Sequence, residues 1–384
     1  MKFTVRKSLF MNKLTLAMGT VSNKNTITSI EGILMETMED GRIRVSSYDM
    51  NKGTRAFVEA TEIEQHGKYI VNAQRLYQTV RVLPEDDITV EVNDKLSCTI
   101  SCGKASFSMF AMRGEEFPNL PELSSDRGFE IDSETLKRMI GKVSHSIAEQ
   151  DTRPMLCGAF FRITDGQLEV VSCNSYTLSR CVAKCHIGSI NEAVALDYSF
   201  IIPGHALGEL SKHLTEGEDG SIVFYLSRKH AIIKKDDTIF FTRTIDSEYI
   251  DYNRITPKDN DIFVTVERER LLDSLERANI IAEEKTQGGR SYVKLTVEDQ
   301  YLTITSSSVN GNVYDELDCV HEGNSIEIGF NCRYLINSVK VAEGENILIT
   351  LKGPTQAITI EPKEELEDFS YFYMILPVRM NEAK

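Results

Sequence analysis

The chain has 384 residues, more than a single hydrophobic core usually supports, and its 41% hydrophobic and 26% charged content is that of a folded globular protein. No segment approaches about 18 consecutive apolar residues, and MKFTVRKSLFMNKLTLAMGT has neither an unbroken apolar stretch nor a small-residue cleavage site, which argues against a spanning helix and a secretory leader. A net charge of −15 excludes a surface that clings to nucleic acid all over, though not a local basic face on an acidic shell.

In chain order, Phe3-Thr4-Val5 reads as a strand before a helix in which Leu9, Phe10, Leu14, Leu16 and Ala17 share a face, followed by the two-stranded run GILMETMEDGRIRVSSYD. Tyr69-Ile70-Val71 then leads into the helix of NAQRLYQTVRVLPEDD and the strands ITVEV and CTISC. After the polar joint PELSSDR (121–127), Phe129-Glu130-Ile131 precedes a helix with Leu136, Met139, Ile140 and Val143 at helical spacing, for which Ser133 is the expected cap. GAFFRITDGQLEVVSCN supplies the next strand pair. The segment around PGHALGELSKHL sets Leu207, Leu210 and Leu214 on one helical face before SIVFYLS and AIIKK. A second joint, PKDND (257–261), introduces Val264-Thr265-Val266 and a helix with Leu271, Leu272, Leu275 and Ala278 inward, then YVKLTVEDQYLTITSSS. Last come EIGF, the helix of NCRYLINSVKVAEGEN, and the strands ILITL and AITIEP.

Leu76, Leu207 and Leu335 hold the same helix position 131 and 128 residues apart, and Glu85, Glu216 and Glu343 the same turn 131 and 127 apart. Two landmarks with one period define a threefold repeat. The expected fold is α+β, three domains at 1–125, 126–258 and 259–384, each an antiparallel sheet with two helices on one side. Such an array either closes into a ring or continues as a filament.

The expected helices carry Lys7, Lys13, Arg75, Arg81, Lys137, Arg138, Lys142, Lys212, Arg268, Arg270, Arg277, Arg333 and Lys340, while acidic residues collect in turns at 85–87, 216–219 and 364–368. Helices turned inward would give a basic lining and an acidic exterior. In the third domain Glu267, Glu269, Asp273 and Glu276 share the first helix with its arginines.

Enzyme chemistry finds little support. Cys98-x3-Cys102 and Cys181-x3-Cys185-His186 lack zinc-ribbon spacing, so the eight cysteines read as reduced, largely buried thiols of a cytoplasmic protein. The seven histidines form no HxxxH or Ser–His–Asp pattern, and His205 and His213 read as lining or surface groups. Asp86-Asp87, Asp236-Asp237 and Glu283-Glu284 sit at turns or a helix end, where carboxylates are normally solvated. No GxxxxGK[ST] or GxGxxG loop is present, so no nucleotide and no cofactor is expected. Two readings stay open at this point: a repeat scaffold that binds protein partners, and a nuclease or other DNA-processing enzyme, which the lack of any acid or His cluster disfavours.

MKFTV, FSMFAMRGEEFPNLP, AEQDTRPMLCG, FTRTIDSEYIDYNRITPK, EIGFNCRYLINSV and YFYMILPVRM occur in the order in which the bacterial DNA polymerase III β sliding clamp family has their counterparts, and the chain resembles that family along its full length. The resemblance implies a non-enzymatic processivity factor, a head-to-tail homodimer whose six domains ring duplex DNA with twelve helices facing the hole. It also implies a pocket between domains two and three for peptides of the polymerase III catalytic subunit, the clamp-loader ATPase and repair proteins, and no membrane partner.

Carried over residue by residue, that pocket would be lined by Leu156, Cys173, Tyr176 and Leu178 from the second domain and by Ile250, Arg254 and Ile255 at the joint. The third domain would add Asn331, Tyr334, Ala357, Met374, Leu376, Pro377, Val378, Arg379 and Met380. The family's TDGHRL is CNSYTL here, Ile250 replaces a proline, and a tail at 381–384 extends past the usual end. For DNA the resemblance implies Lys24 and the 150–155 loop, with Gln150 and Arg153. It adds these to the helical set Arg75, Arg81, Lys137, Arg138, Lys142, Lys212, Arg268, Arg333 and Lys340. The family's aromatic residues after the loop arginine are Pro154 and Met155 here. For the dimer it implies Phe107 and Met109 on an edge strand facing Ile280 and Ile281 on a helix.

Overall fold

The computed structural model describes residues 1–22, 27–121, 123, 125, 127–164, 166–184, 187–191, 197–214, 220–227, 229–283, 285–286, 289–290 and 292–380. Seven α-helices are found among them: α1 (Lys7–Met18), α2 (Ala73–Val82), α3 (Ser133–Val143), α4 (Gly204–His213), a single turn α5 (Tyr252–Ile255), α6 (Arg268–Ala282) and α7 (Cys332–Val341). None is long and apolar enough to cross a membrane.

Six of them begin directly, or after one residue, at the end of a strand: Lys2–Arg6, Lys68–Asn72, Gly128–Asp132, Tyr198–Pro203, Ile262–Glu267 and Ile326–Phe330. The strand–helix unit therefore recurs six times, as the repeat requires. Leu76, Leu207 and Leu335 are all buried, so the positions that defined the period are core positions. Asn72 and Asn331 cap α2 and α7, their amide oxygens accepting from the backbone N–H of Arg75 and Arg333 at 3.1 Å each. Ser133 differs from expectation: it is the first helical residue, and its buried hydroxyl finds no partner, so it is not the cap.

The chain forms two compact units. The first holds a fourteen-stranded sheet. Its continuity comes from Thr238–Arg243 pairing with Lys52–Glu59, Thr238 opposite Ala56, which extends the sheet of the first repeat with strands of the second. Phe3, Val5, Phe10, Leu14, Leu76 and Val80 are fully buried in one of its cores. The second unit holds a nine-stranded sheet, continuous through Thr177–Lys184 pairing with Phe369–Ile375. It also has a four-stranded sheet ordered Asn312–Asp318, Tyr301–Ser307, Val293–Glu298, Ile326–Phe330. The middle repeat thus shares its backbone hydrogen bonds between both units, which local periodicity does not reveal.

Candidate functional site

In the second unit, antiparallel pairing of Gln167–Cys173 with Thr177–Lys184, and of that strand with Phe369–Ile375, sets Cys173, Leu178 and Met374 side by side. Leu156 joins them from the turn Pro154–Cys157, and Tyr252 from α5, its hydroxyl donating to Glu169 Oε2 at 2.9 Å. Ile250 and Ala357 pack against the same cluster. Of the residues expected to line a pocket, Leu156, Cys173, Leu178 and Met374 lie together in this buried cluster and are each at most 5% exposed. Burial also raises the Cys173 thiol pKa, which makes it a packing group rather than a nucleophile.

The remaining residues of that set are half-buried or exposed. Tyr176, 59% exposed, stacks on Tyr334 with ring centroids 5.9 Å apart, and its carbonyl accepts from the Leu376 N–H at 2.9 Å. The Val378 N–H donates to the Gly329 carbonyl at 2.8 Å, and a side chain at Gly329 would collide with Met380. Pro377 is half-buried, while Arg379 is exposed. Arg254 and Ile255 are exposed, and with Ala357 and Leu376 they line an open groove of about 640 Å³; Arg254 pairs with Asp251 at 2.8 Å. An apolar cluster beside a groove that adds Ile255, Ala357 and Leu376 and the charged Asp251, Arg254, Lys258 and Asp259 suits a short peptide with both apolar and polar side chains.

The cations separate into two kinds. α1, α2 and α7 contain no carboxylate at all. Arg75, Arg81 and Lys340 on α2 and α7 are exposed, and no described carboxylate pairs with them. Lys137 is half-buried. Others are already paired: Lys212 with Glu209 at 3.0 Å, Arg268 with Glu269 at 3.0 Å, Arg153 with Asp151 at 3.0 Å, and Arg333 with Glu283. Gln150 is exposed beside Arg153, whereas Lys24 lies outside the described residues. On α6, Arg270 and Arg277 pair with Asp318 and Asp315, so that helix presents little net charge.

Lys142 corrects the helical reading. It is buried, its ammonium 2.8 Å from Glu343 and 4.5 Å from the Tyr371 ring centre, and it also donates to the Val341 carbonyl. Arg138 binds the same carboxylate and lies 3.9 Å over the Phe369 ring. Helical spacing places both on α3, but only the fold shows that Glu343 covers them. Lys142 therefore cannot offer its charge to an external phosphate.

His145 lies in the same region with its ring edge-on to Tyr373 and Nε2 within 3.1 Å of Ser179 and 3.3 Å of Ser338, while its buried Nδ1 has no partner. Burial, and then Lys142, lower its pKa to about 4. The unfolded chain therefore binds the extra proton first. Its contribution to stability is complete above about pH 6.5 and is lost as pH falls towards 4, a loss of about 3 kcal/mol. Urea midpoints measured between pH 7 and 4 should fall accordingly, and His145→Gln should flatten that dependence.

Two strand edges carry exposed apolar side chains. In the first unit Ala105–Arg113 pairs with Ser97–Cys102 along most of its length but with Lys68–Asn72 only through 111–113, which leaves 105–110 open on one side. Phe107 is exposed there, Met109 is half-buried and Phe110 is 84% exposed. In the second unit Asn312–Asp318 is an edge strand beside α6, where Ile280 is 72% exposed, Ile281 is half-buried, and Val309 and Tyr314 are exposed. Phe110, Val309 and Tyr314 escaped the sequence reading. Phe110 breaks the alternation set by Phe107 and Met109, which is the signal that marks it.

Cys98, Cys102 and Cys181 are buried free thiols, the Cys98 pKa pushed up to about 12 by burial, while Cys185 and His186 lie outside the described residues. His213 is half-buried against the Phe240 ring, with burial and then Lys13 lowering its pKa to about 4.

Family models match along the chain at residues 1–121, 130–251 and 253–379, described as the N-terminal, central and C-terminal domains of the DNA polymerase III beta subunit. The beta sliding clamp of Bacillus subtilis is 26% identical over 99% of this chain and 100% of that protein. That of Staphylococcus aureus is 24% identical over 99% of each. Among solved structures, the DNA polymerase sliding clamp from Bacillus subtilis superposes with a TM-score of 0.90 at 26% identity, covering 99% of this chain and 100% of that one. The DNA polymerase III beta subunit from Thermotoga maritima gives 0.89 at 25% with the same coverage.

Proposed function

Because the chain belongs to the DNA polymerase III beta subunit family, we propose that it works as a sliding clamp, a processivity factor that holds replication proteins on duplex DNA without itself doing chemistry. The observation that carries this reading is the sixfold strand–helix unit with carboxylate-free faces on α1, α2 and α7. Scattered arginines and lysines touch phosphates without reading bases, so contact is non-specific and permits sliding. Retention then comes from topology.

The proposed assembly is a head-to-tail homodimer of three-domain chains divided at 1–125, 126–258 and 259–384, closed around DNA in the cytoplasm. The open edge at 105–110 of one copy pairs with Asn312–Asp318 of the other, Phe107, Met109 and Phe110 meeting Ile280, Ile281 and Tyr314. Pairing satisfies two exposed edges at once. Arg75, Arg81, Lys340, Gln150 and Arg153 are the proposed DNA contacts. The apolar floor and its surroundings in the second unit are the proposed peptide site, whose partners are the polymerase III catalytic subunit, the clamp loader and repair proteins.

The test is loading onto nicked circular DNA by a clamp-loader ATPase, followed by linearisation. Retention on the circle and release from cut ends is the expected result. A folded dimer that is never retained would leave a protein-binding scaffold as the better account. Separately, Arg75→Ala with Arg81→Ala should leave dimerisation intact and lower DNA affinity at low salt, with the slope of log affinity against log salt reduced by about 2. An unchanged slope would remove α2 from the DNA-contacting set.

A further inference from the structure

We propose, resting on the reading that the second unit carries both a peptide pocket and a DNA contact at Arg153, that Arg153 is a positioning residue for the pocket, and that a DNA phosphate opens the pocket by drawing Arg153 away from Ser175.

The floor made by Leu156, Cys173, Leu178 and Met374 is closed in this structure. Cys173 and Leu178 flank the tight turn Asn174-Ser175-Tyr176-Thr177, in which the Asn174 N–H donates to the Thr177 carbonyl at 3.1 Å. The Asn174 side chain accepts from the N–H groups of Tyr176 and Thr177 at 3.0 and 2.8 Å. Ser175 sits at φ +77°, a left-handed conformation that a serine adopts only when its surroundings hold it there. One of those supports is Arg153, whose Nη2 donates to Ser175 Oγ. The turn in turn places Tyr176, which stacks on Tyr334 and accepts from Leu376.

Arg153 belongs to a loop closed by the Ala148 N–H donating to the Leu156 carbonyl at 2.9 Å. Its backbone N–H, Nε and Nη2 all donate to the Asp151 carboxylate, at 2.9, 3.0 and 3.0 Å. Met155 and Leu156, two and three residues on, pack in the apolar cluster. The guanidinium is exposed and holds one charged partner and one neutral one. A phosphate forms charge-assisted, bidentate bonds with arginine that are roughly twice as strong as bonds between neutral groups. The partner it displaces is therefore the neutral Ser175 hydroxyl, not Asp151. Freed of that bond, the strained turn relaxes, Tyr176 parts from Tyr334, and the floor becomes accessible. By linkage, peptide and DNA then strengthen one another's binding equally.

The experiment follows the anisotropy of a fluorescein-labelled pentapeptide ending in Leu-Phe with the full-length protein, alone, with saturating short duplex DNA, and with inorganic phosphate. A wild-type gain of about fivefold in peptide affinity with duplex, and none with inorganic phosphate, is expected. Ser175→Ala should bind the peptide without DNA as tightly as the wild type does with it, and gain nothing further from duplex. Equal wild-type affinity with and without bound duplex, a full DNA effect in Ser175→Ala, or an equal effect of inorganic phosphate would each overturn the proposal. Failure of the peptide, or of the duplex, to bind either protein would instead overturn the function on which it rests.

Discussion

Phe110→Asp, combined with Ile280→Asp, is expected to give a folded monomer that is no longer retained on circular DNA. Phe110 is 84% exposed and Ile280 72%, so neither change opens a cavity in its own unit. In the proposed dimer both side chains are covered, and each substitution puts a carboxylate into an apolar contact. Losses at such central apolar positions exceed about 2 kcal/mol each, so dimer affinity should fall by a factor of about a thousand or more. Analytical ultracentrifugation reads the oligomeric state and urea denaturation checks the fold. A double variant that remains dimeric at the wild-type concentration range would place the interface elsewhere.

Glu343→Ala is expected to destabilise the second unit by about 3 kcal/mol, since it leaves the Lys142 ammonium buried without its counter-ion. Solvent reaches the Arg138 side of the cluster, which keeps the loss at the lower end of the range for buried pairs. Glu343→Ala with Lys142→Met should recover most of that stability, because the uncompensated charge is then gone. The carboxylate's own titration adds a pH signature. Burial raises its pKa, but the bonds from Arg138 and Lys142 outweigh this and hold it below the usual value. Its stabilising contribution is therefore present at neutral pH and lost as the solution is acidified through that lowered value. Equal urea midpoints for the wild type and Glu343→Ala would show that the cluster contributes nothing.

Elements held by short-range interactions are the ones legible in the sequence. Strand–helix units at Lys2–Met18, Lys68–Val82 and their four counterparts were legible because period-two and period-3.6 burial is written locally. The repeat spacing of Leu76, Leu207 and Leu335 was legible for the same reason, and all three are core residues. The cap of α3 was misplaced by one residue, the usual uncertainty of helix ends.

The candidate sites divide along the same line. Resemblance to a family located Leu156, Cys173, Leu178 and Met374, and the chain's own pairing register brings them together. That they are closed off from solvent, and that Arg153 reaches across to Ser175, depends on side chains meeting over distances no spacing rule covers. Lys142 shows the limit most clearly. Its place on α3 suggests an exposed cation, but Glu343, some two hundred residues later, folds over it and turns it into a buried structural charge. Likewise the open edge at 105–110 became visible only once Lys68–Asn72 was seen to pair with the last three residues of the strand. The number, kind and order of the repeating units are written in the local sequence, because they depend on neighbours within a few residues. Which charges stay free, which edges stay open and which apolar residues are covered was decided by the tertiary structure, because those properties depend on partners distant in the chain.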